Sequence, residues 1–156
     1  MSKKTSMSSD GYKVNSSGTR ESCTTGPEGT GHRNAKTIVM YSPDVSLCMS
    51  LTLYFQVEYT IVTTTDSNAI PTLVERYHPS LVIVDALPTS WFLQLFDTWK
   101  GAHPAPRVML FRVWRYEDRK REAAIHKSID YVVYKPLDID LVARIVSGVF
   151  EGPHAL

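Results

Sequence analysis

The sequence predicts an α/β fold: a doubly wound sheet of five parallel strands with helices on both faces. Three observations lead there. From Lys36 onward, short apolar runs alternate with longer amphipathic stretches, the pattern of strands alternating with helices. The run "SLVIVD" (80–85) is continuously apolar rather than alternating, as expected of a central strand covered on both sides. Right-handed crossovers between parallel strands then distribute the helices over both faces.

Each element has its own signal. "KTIVMYS" (36–42) reads as the first strand, and "DVSLCMSLTLYFQ" (44–56) as a helix capped by Asp44 after Pro43. "YTIVTT" (59–64) is rich in β-branched residues and forms the second strand. A helix then starts at Asp66 or Ser67 and runs through Arg76, with Pro71 in its first turn. "SLVIVD" is the third strand. "TSWFLQLFDTWK" (89–100) follows as a helix capped by Thr89 or Ser90, and "RVMLFRV" (107–113) is the fourth strand. "YEDRKREAAIHKSI" (116–129) predicts a charged fourth helix and "YVVYK" (131–135) the fifth strand. The last helix, "DIDLVARIVSGVF" (138–150), is capped by Asp138, carries an apolar stripe of Leu141, Val142, Ile145, Val146 and Val149, and ends at Gly152 and Pro153.

Domain organisation follows from composition. Residues 1–34 are dominated by Ser, Thr and Gly, with too little apolar surface to offset the entropy of ordering, and are expected to form a disordered tail. One folded domain is expected over 35–151 and a short C-terminal tail over 152–156, since 156 residues hold one comfortable core. A net charge of +1 gives no global bias toward nucleic acid or a membrane surface, and no segment is long and apolar enough to span a bilayer. Cys23 and Cys48 lack the spacing of a metal site or a disulfide framework, so a cytoplasmic protein is expected. His32, His78, His103, His126 and His154 are scattered and are expected to be solvated, with no metal site. A glycine-rich phosphate loop, a nucleophile elbow and a local triad partner are all missing from the sequence.

Two motifs carry chemistry. "HPSLVIVD" (78–85) ends a central strand on Asp85, and "YKPLD" (134–138) closes the fifth strand on Lys135 and Pro136. Their separation and the strand–helix alternation between them resemble the receiver domain of bacterial response regulators, over Lys36 to Phe150. That resemblance implies a flavodoxin-like sheet in the order 2-1-3-4-5. It also implies that Asp85 occupies the position that accepts a phosphoryl group from a histidine kinase, that Lys135 contacts the acyl phosphate, and that a cis bond precedes Pro136. The chemistry of such a site is positioning and charge neutralisation.

The chain departs from that pattern at several positions. Tyr41 and Ser42 stand where the family has an acidic pair that holds Mg²⁺. Asp44, two residues on, is either a substitute ligand or the helix cap. Phe111 replaces the hydroxyl residue at the end of strand four, and Val132 replaces an aromatic switch residue, with Tyr131 and Tyr134 beside it. Pro88 comes one residue early. An intact site carries about −2 before metal binds, whereas Asp85 and Lys135 sum to zero and can satisfy each other in an ion pair.

The resulting expectation is an atypical receiver acting in phosphorelay signalling by protein contact. It would not be an enzyme and would need no cofactor, Mg²⁺ entering only if Asp85 still accepts phosphate. A histidine kinase, phosphotransfer protein or output protein is the expected partner class, with a homodimer as a further option, and nucleic acid and membranes are disfavoured. Trp114, Arg115, Arg119 and Tyr134 are expected on the partner surface, although the mixed-sign run from Trp114 to Lys127 also reads simply as a solvated helix face. Trp91, Phe92, Phe96 and Trp99 load the third helix with more rings than one stripe buries, leaving one ring for an exposed contact. Two alternatives stay open: a working phosphoacceptor at Asp85, and a small-ligand binder or enzyme using the strand-end crevice near Tyr41, Asp85 and Lys135.

Overall fold

The computed structural model describes residues 36–152. The tail expected over residues 1–34, with Lys3, Lys4, Cys23 and His32, lies outside the described residues, as do Pro153 and His154. Strands and helices alternate throughout: β1 (Thr37–Tyr41), α1 (Val45–Phe55), β2 (Thr60–Thr64), a 3₁₀ turn (Ser67–Ala69), α2 (Ile70–Tyr77), β3 (Leu81–Asp85), α3 (Ser90–Lys100), β4 (Arg107–Val113), α4 (Arg119–Ser128), β5 (Tyr131–Lys135) and α5 (Ile139–Glu151). All strands pair in parallel, in the order β2-β1-β3-β4-β5.

The two-residue period of the strands sorts the core into two layers. Ile38, Met40, Leu81, Ile83, Met109, Phe111 and Val133 face α1 and α5, where they meet Leu51, Phe55, Val142 and Val146. Val39, Val82, Val84, Val108 and Leu110 face α2, α3 and α4, where they meet Ile70, Val74, Phe96 and Ile125. Every residue of β3 is buried, the physical reason for its unbroken apolar run. In α3, Phe92, Phe96 and Trp99 are buried and Trp91 is left at the surface.

Helix starts follow their caps. The side chains of Asp44, Thr89, Asp118 and Asp138 each accept backbone N–H groups at the starts of α1, α3, α4 and α5. Two starts differ from the sequence expectation. Asp66 caps the 3₁₀ turn, and α2 itself begins at Ile70 with Pro71 in its first turn. The fourth helix begins at Arg119 rather than Tyr116, because Asp118 takes the N–H of Arg121. His78 ends α2 in the left-handed region (φ 44°), and Pro79 prevents continuation. Among the described residues no helix is long and apolar enough to cross a membrane.

Candidate functional site at the carboxyl edge of the sheet

Parallel pairing brings the ends of β1, β3 and β5 to one edge of the sheet, where three of the residues singled out above converge. Asp85 is the last residue of β3 and is buried. Lys135, the last residue of β5, places Nζ 2.7 Å from Asp85 Oδ1 and 2.8 Å from Oδ2, a fork on both carboxylate oxygens. Ser42, fully buried just past β1, donates its hydroxyl to Asp85 Oδ2 at 2.7 Å. Its own N–H bonds to the Thr64 carbonyl, and its Oγ accepts the N–H of Asp44, so the hydroxyl is fixed from two sides. The peptide bond between Lys135 and Pro136 is cis.

The other predicted positions sit around this core without entering it. The Tyr41 ring packs 6.0 Å from the Phe92 centroid, in the α2–α4 layer. Asp44 is exposed, and its Oδ1 is turned onto the N–H groups of Ser46 (2.8 Å) and Leu47 (3.3 Å). Phe111 is fully buried and pairs in register with Asp85. Val132 packs into the α2–α4 layer. A shallow hollow of about 290 Å³ opens over Asp85 and Lys135, bordered by Pro43, Leu87, Val113 and Arg115. Cys48 lies beneath the site, with Sγ 3.7 Å from the Ser42 carbonyl. Burial pushes its thiol above the usual range, and the Asp44 and Asp85 carboxylates add to that.

A divalent cation such as Mg²⁺ needs carboxylate oxygens free to face it, together with water. Here both oxygens of Asp85 face hydrogen-bond donors, and Oδ1 of Asp44 is occupied as a helix cap. Among the described residues no group of three His, Cys, Asp or Glu converges. The donor set does not fit Mg²⁺; it fits a carboxylate neutralised from within.

Sequence reasoning missed Arg112. Despite its place in the central run of β4, it is buried, and its guanidinium reaches Glu122 (3.4 Å) and Glu117 (3.8 Å) and lies over the Tyr134 ring at 5.8 Å. Its Nε has no hydrogen-bond partner among the described residues. A second arginine, set within the apolar part of the strand rather than at its start like Arg107, was the available signal. Glu117, ahead of α4, and Glu122, in its first turn, are the acids that accompany it, both within the run read from sequence as a solvated helix face. Trp114, Arg115 and Arg119 are exposed beside this cluster, with Tyr134 at its rim. A separate cleft of about 470 Å³ lies between α2 and α3 near the amino ends of β3 and β4, lined by Trp99, His78 and His103 among others.

No family model matches the chain, and no curated protein matches it. Solved structures do. A response regulator from Thermotoga maritima superposes with a TM-score of 0.63 at 15% identity, covering 76% of this chain and 99% of that one. The N-terminal signal receiver domain of a two-component response regulator from Bacteroides fragilis gives 0.59 at 19% identity, covering 73% and 95%. A protein described as pilus assembly-related, from Burkholderia pseudomallei, gives 0.61 at 16% identity, covering 80% and 96%. The chain therefore has the fold of signal receiver domains, a flavodoxin-like sheet in the order 2-1-3-4-5.

Proposed function

We propose that this chain is an atypical receiver of two-component or phosphorelay signalling, working in the cytoplasm through protein contacts rather than as an enzyme. One observation carries the reading: on a receiver fold, the carboxylate at the end of β3 is already held by Lys135 on both oxygens and by Ser42 on one. Phosphorylation at such a position requires the aspartate to be free to attack and the developing charge to be neutralised by a cation. Here the lysine neutralises the aspartate itself, so neither Mg²⁺ nor a phosphoryl group gains entry without breaking a part-buried pair. A folded receiver-like domain over 35–151 presents Trp114, Arg115, Arg119 and Tyr134 to a histidine kinase, phosphotransfer protein or output protein. Exposed aromatic and arginine side chains suit such a contact.

The test is calorimetric titration with Mg²⁺, followed by incubation with acetyl phosphate and intact-mass measurement. The expected result is no saturable Mg²⁺ binding in the low millimolar range and no added phosphoryl mass. Stoichiometric phosphorylation at Asp85 would instead establish a working phosphoacceptor. A pull-down comparing wild type with Asp85→Asn then reads the contact role, and an unchanged set of partners is expected.

A further inference from the structure

We infer that the outward face of α1 is the contact by which two copies of this chain pair, antiparallel, helix against helix. Val45, Met49 and Leu53 recur every four residues along α1 and are 57%, 61% and 65% exposed, and Val57 continues the line just past the helix at 89%. Tyr54, 51% exposed, flanks it. The inner face of the same helix is fully used, by Cys48, Leu51 and Phe55 against the sheet. An i, i+4 row is the ridge that seats in the groove of a neighbouring helix, and here no neighbour within the described residues covers it.

The chemistry of the face selects the occupant. Of the five α-helices, α1 alone has no charged residue within its span: "VSLCMSLTLYF" against Glu75 and Arg76 in α2, Asp97 and Lys100 in α3, and several charges in each of α4 and α5. A strongly charged partner finds nothing to pair with on it, whereas a second α1 meets it without like-charge contact within the span Val45–Phe55. The five side chains together expose the equivalent of about three whole large apolar groups, on the order of 500 Å². Covering these side chains completely in both copies removes at most about 1,000 Å², the lower end of the range for a specific interface, which suits a weak dimer.

Orientation follows from the helix dipoles. Antiparallel pairing opposes the two helix dipoles favourably. In this register Asp44, at the N-terminus of one α1, falls opposite Glu58 beyond the C-terminus of the other, so the charged side chains at the ends contribute no net attraction and the apolar row carries the contact; Lys36, over the Tyr59 ring at 5.4 Å, lies at that same end. A hollow of about 160 Å³ at the same end, between Tyr54, Val57, Ala143 and Ser147, receives the second copy's Val45. The two-fold axis then passes between Met49 and Leu53, so that Met49 of each copy faces Leu53 of the other. The pairing is independent of the chemistry at Asp85.

Sedimentation equilibrium on the whole chain tests this. Wild type is expected to dimerise with a Kd of roughly tens of micromolar. Met49→Glu and Leu53→Lys, both at exposed positions, should each weaken it at least tenfold while leaving circular dichroism unchanged and, at concentrations well below the dimer Kd, the thermal midpoint unchanged. An equimolar mixture of the two variants should re-associate, because the antiparallel register sets the new carboxylate opposite the new ammonium. A wild-type chain that stays monomeric to several hundred micromolar overturns the proposal and leaves the stripe to another partner. A dimer indifferent to either substitution overturns it too, and failure of the mixture to re-associate overturns the antiparallel register.

Discussion

Removing the Lys135 ammonium while keeping the Asp85 carboxylate isolates the ion pair at the centre of the candidate site. In Lys135→Met the aliphatic stem survives, but a buried carboxylate keeps only the Ser42 hydroxyl as donor. Breaking a buried pair from one side costs about 3–5 kcal/mol. The Lys135 side chain is 33% exposed, so water can reach part of the vacated space, and the expected cost falls to about 2–3 kcal/mol. For a domain of this size that is a fall in Tm of roughly 8–12 °C. Asp85→Asn should cost less, about 1 kcal/mol, because the partly exposed lysine can turn its charge to solvent. The double variant, with neither charge, should lose about 1.5–2.5 kcal/mol less than the sum of the single losses. Urea unfolding followed by tryptophan fluorescence, with a common m-value, gives all four corners of the cycle. Additivity within about 0.5 kcal/mol would refute the reasoning, since it would mean that the pair stores no mutual energy.

Two further predictions use other buried groups. Arg112→Met should destabilise by about 1–3 kcal/mol, because Glu117 and Glu122 lose their shared cation and Tyr134 its stacked guanidinium; Glu122→Gln combined with it should recover part of the loss in the same unfolding assay. Cys48, with its thiol pushed up by burial, should react with Ellman's reagent far more slowly than a free thiol in a Cys23→Ser background. Because the folded state favours the protonated thiol, its contribution to stability is complete below the unfolded thiol value of about 8.5 and is lost as pH rises toward the higher folded value. Cys48→Ala should remove that alkaline slope, and an unchanged slope would count against burial as its source.

The parts of the fold that were legible in the sequence share a physical trait: their signal is local. β3 and β5 announce themselves by uninterrupted apolar runs, and α1, α3 and α5 by a capping side chain immediately before an apolar period. The start of α4 was misplaced because Tyr116 and Glu117 share the helical propensity of the residues behind them, while Glu117 is drawn aside to Arg112. The site was half legible. Asp85 and Lys135 are strand ends and declare their positions, but Ser42 read as a missing carboxylate, and only the register of β1 on β3 reveals its hydroxyl as a donor to Asp85. Arg112 was hidden for a related reason. Its acids lie five and ten positions further along, beyond the end of the strand, and nothing local marks them as its partners.

Asp85 also ties together pieces of chain that are made at different times. Its two side-chain partners are 43 residues before it and 50 residues after it, one just past the neighbouring β1 and the other at the end of β5, two strands away across β4. Until β5 arrives, a buried anion has no cation, and closing the carboxyl edge of the sheet is opposed rather than favoured. Non-local pairing of this kind slows folding and raises cooperativity, because the first, third and last strands must be secured together. The carboxyl edge of the sheet therefore closes around Asp85 only when β5 has delivered Lys135, and a chain lacking that strand leaves the carboxylate without its cation.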